Sequence, residues 1–141
     1  MRKLGIDYGD SRVGLAITDE LEITAQGLET IHHNGNDKLI LKRLDEILSQ
    51  YSIDTFVIGM PINMDGSKTE RVEVTTKFIH KLKCKFPKIS IETIDDRLTT
   101  VAAHKTMNYL NIDKNKKKQL VDTISAVYIL ETYMNKRKNN V

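Results

Sequence analysis

Three aspartates that stand far apart in the sequence are the side chains with which this chain could do chemistry. Asp7 ends a short apolar run and is followed by Gly9, which can adopt positive φ and let a ligand approach the backbone. Asp96 follows an apolar run over residues 89–94, and Asp122 lies in a C-terminal segment with helical spacing. Clustered carboxylates repel unless they share protons or metal, and Mg²⁺ prefers oxygen ligands of this kind. If the three meet, one or two Mg²⁺ or Mn²⁺ ions could support phosphodiester hydrolysis there.

Each aspartate taken alone also has a simpler interpretation. Asp7 could cap its own turn, and Asp122 could be a solvated residue that complements a helix dipole. Asp95 and Asp96 are neighbours and would point to opposite faces of an extended strand, so their spacing does not decide which of them faces Asp7. The catalytic interpretation therefore depends on convergence in the fold.

Hydrophobic spacing predicts the elements that would carry these residues. Residues 4–6 and 13–17 are predicted to form a hairpin whose turn is bracketed by Gly9 and Gly14. Residues 24–31 form a third strand, so the first third of the chain is predicted to be an antiparallel meander.

A predicted helix, capped by Asn36, follows the meander. Its buried face comprises Ile40, Leu44, Ile47, Leu48 and Tyr51. Residues 55–59 and 89–94 are predicted as buried strands. The helix between them has its apolar positions at Val72, Ile79, Leu82 and Phe86.

The C-terminal part is predicted to contain a short helix that starts at Thr99 or Thr100 and ends at Leu110. A basic linker over residues 114–118 and a last helix over residues 120–134 follow. The inward positions of this last helix are predicted to be Leu120, Ile124, Val127 and Tyr128.

These elements predict an α/β fold with a mixed five-stranded sheet, formed by three antiparallel strands and two parallel crossovers, with helices on both faces. Ligands of such sheets bind beyond the carboxyl ends of the strands, where the strand order reverses. Asp7, the loop over residues 60–68 and the pair Asp95 and Asp96 would all lie at that edge.

Composition favours one domain over residues 1–141, in which residues 136–141 would be a frayed tail. The single cysteine, Cys84, cannot form an internal disulfide, which indicates a reducing compartment. No secretory signal and no apolar run of transmembrane length is present, so we expect a soluble, cytoplasmic protein without a membrane partner. The formal charge of +3 is compatible with a polyanionic partner.

Four motifs in the same order resemble one known family. They are G-I-D-Y-G-x-x-R-V-G-L-A at residues 5–16, G-M-P-I-N-M-D-G-S at 59–67, D-D-R-L-T-T at 95–100 and V-D-x-x-S-A-V-x-I-L at 121–130. The chain resembles the YqgF/RuvX family of Holliday junction resolvase-like proteins, regarded as nucleases for the precursor of small-subunit ribosomal RNA. The resemblance implies a ribonuclease H-like fold and a metal-dependent nuclease that processes the 5′ end of pre-16S rRNA.

The same resemblance implies that Asp7, Asp96 and Asp122 are the catalytic and metal-binding residues. Asp96 stands where the family pattern D-E-R has glutamate. The carboxylate is retained on a side chain shorter by one methylene, which could change the metal number, and Asp95 could compensate.

The predicted contacts to the nucleic-acid backbone are Arg12, Asn63, Arg71 and Arg97. Arginine binds phosphate in a bidentate manner, although Arg97 could instead pair with Asp95. The lysines over residues 114–118 could attract phosphates or form only a solvated linker. The four histidines are predicted to be surface or loop residues, and Tyr8 to pack in the core or rim rather than stack on a base.

Several functions remain open from the sequence. A Mg²⁺-dependent nuclease acting on precursor rRNA, free or in a ribosomal particle, is the leading hypothesis. A resolvase of four-way DNA would use the same site and favour a dimer, whereas the first hypothesis is compatible with a monomer or weak homodimer. A non-catalytic RNA-binding assembly factor is a third hypothesis. The sugar-kinase and actin-like ATPases share a D-x-G hairpin but need two domains, and this chain has room for one.

Overall fold

The computed structural model describes residues 1–61, 70–95 and 114–139, which form five strands and three helices. The strands are β1 (Arg2–Tyr8), β2 (Arg12–Thr18), β3 (Ala25–His32), β4 (Ile53–Met60) and β5 (Ser90–Asp95). The helices are α1 (Asp37–Gln50), α2 (Glu70–Lys85) and α3 (Lys114–Asn139). The short helix predicted up to Leu110 lies outside the described residues.

The strands form one mixed sheet in the order β3-β2-β1-β4-β5. β2 is antiparallel to both β1 and β3, whereas β4 is parallel to both β1 and β5. The predicted fold class is therefore confirmed. The carboxyl ends of β1, β4 and β5 lie along one side of the sheet, which we call the carboxyl edge.

The two faces of the sheet are covered by different helices. The larger core contains apolar residues of β1, β2 and β4 together with α1 and α2. The smaller core lies under α3 and is formed by Ala16, Val57, Ile94, Ala126, Ile129 and Leu130. Because side chains alternate along a strand, β2 and β4 contribute residues to both cores.

Helix α1 begins as the sequence predicts. The Asn36 side chain accepts a hydrogen bond from the backbone N–H of Lys38 at 3.1 Å, which caps the first turn. Ile40, Leu44 and Ile47 are fully buried, because their spacing places them on one side of the helix.

Helix α3 differs from its prediction in both extent and orientation. Residues 114–118 are helical, so the predicted linker is wrong. Lysine is a good helix former, but a run of lysines contains no apolar residues at helical spacing by which the helix could be recognised. The helix continues to Asn139 and includes part of the segment expected to fray. Ile124, Val127 and Tyr128 are only partly buried. Over residues 122–137 of the helix, where side-chain burial is described, the fully buried positions are Ser125, Ala126, Ile129 and Leu130; the predicted inward residue Leu120 lies outside that range.

The described helices differ from membrane-spanning helices in length or apolarity. None of them is both long enough and apolar enough to cross a membrane.

Candidate nuclease site

Asp7 and Asp122 are brought together by a glycine on the strand between them. In the β1–β2 pairing, Asp7 lies opposite Gly14. A Cβ at Gly14 would lie 2.0 Å from the backbone oxygen of Asp122 and 2.8 Å from its Cβ. Helix α3 therefore contacts the β2 backbone directly at Gly14, and Asp122 stands over the strand pair that carries Asp7. The sequence placed Gly14 at the end of the turn and within the predicted strand over residues 13–17; it lies within β2, where its missing side chain admits the helix.

A second row of small residues holds the next turns of α3 close to the sheet. Gly5, Ala16 and Gly27 are successive partners across β1, β2 and β3. A Cβ at Gly5 would lie 2.7 Å from Leu130 Cγ, and one at Gly27 would lie 3.3 Å from Thr123 Cβ. This close packing fixes the position of α3 along β2 and hence the position of Asp122.

Arg12 lies beside the Asp122 carboxylate. The Arg12 Nε atom is 2.9 Å from Asp122 Oδ2, and the two side chains are 31% and 18% exposed. The guanidinium group therefore stands at the carboxyl edge next to a candidate metal ligand and remains partly open to solvent.

Arg71, at the start of α2, contacts the turn that follows β1. One of its nitrogens donates to the Tyr8 carbonyl oxygen at 2.9 Å, and another forms an ion pair with the Asp10 carboxylate. Arg71 thus attaches α2 to the segment immediately after Asp7, a contact that motif spacing did not reveal.

His33 holds the other side of this turn, in the loop between β3 and α1, which agrees with the prediction of a surface or loop residue, although its side chain is buried. It is only 1% exposed. Its Nε2 atom lies 2.9 Å from the Gly9 carbonyl oxygen, and its Nδ1 atom accepts a hydrogen bond from the Gly35 N–H. Because Nδ1 accepts, Nε2 carries the proton and donates to Gly9. The backbone N–H of His33 also donates to the Ser11 carbonyl oxygen.

Tyr8 connects the first strand to both helices on its face, as predicted for a core or rim residue. Its ring stacks on Phe78 with centroids 4.1 Å apart, and its hydroxyl donates to Asp37 Oδ1 at 2.8 Å. Lys81 Nζ lies 2.9 Å from the other Asp37 oxygen. Burial of the ring, followed by the hydrogen bond to Asp37, raises the pKa of Tyr8 above its usual value.

The third predicted carboxylate cannot be placed in the same way. Asp96, Asn63 and Arg97 lie outside the described residues, and within the described ranges no group of three potential metal-ligating side chains occurs. Asp95 ends β5 and is exposed. Ile94 packs under α3, so Asp95, one residue later, points to the opposite sheet face from Asp7 and Asp122.

Known sequences match the chain over almost its entire length. The family model described as "RuvX: Holliday junction resolvase" matches residues 1–136. A Ruminiclostridium cellulolyticum protein named "Putative pre-16S rRNA nuclease" is 51% identical, over 99% of this chain and 98% of its own length. A protein of the same name from Acetivibrio thermocellus is 48% identical, with 97% of each chain covered.

Solved structures show the same architecture at low sequence identity. Thermus thermophilus RuvC, in a complex with a Holliday junction substrate, superposes with a TM-score of 0.59 at 13% identity and covers 97% of this chain and 96% of its own. The fowlpox virus resolvase bound to Holliday junction DNA gives a TM-score of 0.54 at 17% identity, over 96% of this chain and 98% of its own. Strand order and helix placement agree with this ribonuclease H-like fold. From the family match and the full-length relatives, the chain belongs to the RuvX family.

Proposed function

We propose that this protein is a metal-dependent nuclease that processes the 5′ end of precursor 16S rRNA, in the cytoplasm and on free RNA or a ribosomal particle. The observation that carries the proposal is the contact of Asp122 with Gly14, the strand partner of Asp7. Two aspartates from distant parts of the sequence are thereby neighbours at the carboxyl edge, where sheets of this type bind ligands. The names of the full-length relatives support RNA as the substrate.

The described residues fit a Mg²⁺ or Mn²⁺ site in their chemistry. Asp7 and Asp122 supply carboxylate oxygens, the ligands that such hard cations prefer. Asp95 points away from this face, which supports Asp96 as the third carboxylate. One or two ions bound here would activate a water and stabilise the charge of the reacting phosphate.

The residues around the aspartates would position the substrate. Arg12 stands beside Asp122 and can bind a phosphate oxygen next to the bond that is cleaved. Arg71 and His33 fix the two sides of the turn that follows Asp7, so this carboxylate is held in place before the substrate binds. We propose Arg71, Asn63 and Arg97 as further contacts to the substrate phosphates.

A second candidate is the resolution of four-way DNA junctions. The family description and two structural neighbours bound to junction DNA favour it. Paired cleavage of a two-fold symmetric junction would require two copies of the chain. A chain that remains monomeric on junction DNA would contradict this candidate.

Cleavage of both substrates side by side tests the proposal. End-labelled precursor rRNA fragments and a four-way DNA junction are each incubated with Mg²⁺, Mn²⁺ or EDTA. We expect metal-dependent cutting of the RNA, lost in the Asp7→Asn variant. Cutting of the junction alone would select the resolvase. RNA binding without cleavage, on free RNA and on the precursor particle, would instead identify a non-catalytic assembly factor.

A further inference from the structure

A groove between α1 and α2, on the sheet face opposite α3, is lined mainly by lysines. Its walls enclose about 260 Å³ and consist of Lys38, Leu41, Lys42 and Asp45 from α1 and Lys85 from α2. This groove is separate from the carboxyl edge, and neither the family match nor the site described above accounts for it.

The lysines form two rows because of their spacing. Lys38 and Lys42 are four residues apart on α1, while Lys77, Lys81 and Lys85 repeat every four residues on α2. Residues four apart lie one above the other on a helix surface. Lys81 reaches Asp37 at the start of α1, and Lys85 lines the groove, so these two lysines of the α2 row face α1.

One carboxylate, Asp45, lines the groove beside three lysines, so the net charge of the lining is positive. Lys81 pairs with Asp37 at 2.9 Å. Among the described residues, Lys38, Lys42, Lys77 and Lys85 form no ion pair, and all four are exposed. Like charges four residues apart on a helix repel each other, so the arrangement costs stability in the free protein. A bound polyanion would relieve this repulsion.

The groove begins close to the candidate nuclease site. β3 and β4 end at the carboxyl edge, and α1 and α2 follow them, so both helices run away from that edge. Asp37 connects the end of β1 to the start of the groove. It accepts a hydrogen bond from the hydroxyl of Tyr8, the residue that follows Asp7, and it pairs with Lys81. An RNA strand that leaves the site and passes around the carboxyl edge at Asp37 would reach the groove at Lys38.

We propose that this groove binds the sugar–phosphate backbone of the RNA outside the cleavage site, an inference that rests on the proposed function. Lysines bind phosphates as point charges and read no sequence. The groove would therefore favour substrates that extend from the cleaved bond around the domain, and it would increase affinity without entering the chemistry.

Binding measured at several salt concentrations tests this role. The probe is a labelled 5′ fragment of precursor 16S rRNA, bound by the Asp7→Asn chain so that the RNA stays intact. The groove variant is Lys42→Gln with Lys85→Gln, which keeps most of each side-chain stem and removes two charges. We expect affinity to fall about tenfold near 0.1 M salt, and the slope of log K against log salt to decrease by about 0.7 for each phosphate that the variant no longer neutralises.

A matched control separates the effect of removing charge from the groove from the effect of lowering the total charge of the protein. Lys83→Gln with Lys136→Gln removes two exposed lysines outside the groove, one of them on α3, and should leave affinity and slope nearly unchanged. Equal binding by the groove variant and the unaltered background, or equal losses in both lysine variants, would overturn the groove proposal.

Cleavage assays with the natural Asp7 distinguish failure of the groove from failure of the nuclease. With Asp7 intact, the groove variant should cut a short RNA that spans only the cleavage site as fast as the wild type, and lose efficiency only on the long fragment through a raised KM. A wild type that binds RNA through the groove but cuts nothing would overturn the proposed function alone. A wild type that cuts but shows no groove-dependent binding would overturn the groove alone.

Discussion

Gly14 is the residue on which the meeting of Asp7 and Asp122 depends. Its missing side chain lets the backbone of α3 approach β2 at Asp122, directly across from Asp7. A glycine within a strand usually lowers stability, so Gly14 is explained by the close packing of α3 and not by the conformation of β2 itself.

Replacing Gly14 by alanine should displace α3 at the site. The new Cβ would collide with the Asp122 backbone, and overpacking of this kind costs about 1–3 kcal/mol in the free energy of unfolding. We expect a lower unfolding midpoint in denaturant and a loss of nuclease activity larger than the loss of folded protein explains.

Gly27→Ala serves as the control for this change, because its Cβ would meet only the Thr123 side chain at 3.3 Å. A Gly14→Ala protein that is as stable and as active as Gly27→Ala would contradict the role assigned to Gly14.

His33 should prove more important for stability than its loop position suggests. His33→Ala would remove two partly buried hydrogen bonds, to Gly9 and Gly35, each worth about 0.5–1.5 kcal/mol, so we expect a loss of about 1–3 kcal/mol in the free energy of unfolding. Equilibrium unfolding measures the loss. The neighbouring His32 is exposed, so His32→Ala should be close to neutral, and equal effects of the two substitutions would contradict the assignment.

At the scale of elements, Tyr8 is where β1, α1 and α2 meet. It stacks on Phe78 of α2 and binds Asp37 at the start of α1, which is itself paired with Lys81. Movement of either helix would therefore shift Tyr8, the residue that follows Asp7.

Tyr8→Phe should change the alkaline stability of the protein. The pKa of Tyr8 is raised in the folded state, so the unfolded chain loses its phenolic proton first. The stabilisation is fully present below the ordinary tyrosine pKa of about 10 and is lost as pH rises above it. Tyr8→Phe should lower stability by about 1–2 kcal/mol at neutral pH through loss of the bond to Asp37, and it should flatten the decline above pH 10.

Urea unfolding between pH 7 and pH 11 measures both effects. Tyr51→Phe is the control, since the Tyr51 ring packs against the larger core and does not bind Asp37. A Tyr8→Phe protein with the same alkaline decline as the wild type would show that Tyr8 does not cause it.

The helices also show how far periodicity predicts structure. α1 was predicted correctly because an N-cap and an apolar stripe both mark it. The start of α3 was missed because consecutive lysines have helix propensity but no apolar period. The buried face of α3 differs from the predicted one because the helix packs on glycines of the sheet. A surface of small residues selects a helix face that hydrophobicity alone does not indicate.

For the whole molecule, the mixed five-stranded sheet was predictable and the contacts between distant loops were not. Strand-helix-strand units have a fixed handedness, so the five-stranded sheet and its carboxyl edge followed from the sequence. Three contacts join residues that no local sequence pattern connects. They are the ion pair of Arg12 with Asp122 and the hydrogen bonds from Arg71 and His33 to the turn after β1. Such side chains find their partners only when the sheet is assembled.

The two proposed RNA contacts lie at the carboxyl edge and on the sheet face opposite α3. The carboxyl edge carries the aspartates with Arg12, and the lysine groove extends from it between α1 and α2. The account therefore predicts that affinity for long RNA and the rate of cleavage can be altered separately.

The most direct test of the central claim is the cleavage rate of precursor rRNA by Asp7→Asn, Asp122→Asn and the double variant at saturating Mg²⁺. Residues that act on one reacting centre are strongly non-additive. We predict that each single variant loses at least about 100-fold in rate and that the double variant is no slower than the worse single one. Asp19→Asn, in the β2–β3 turn, should retain full activity. Independent, multiplying losses or near-normal activity of either single variant would contradict a shared site for Asp7 and Asp122.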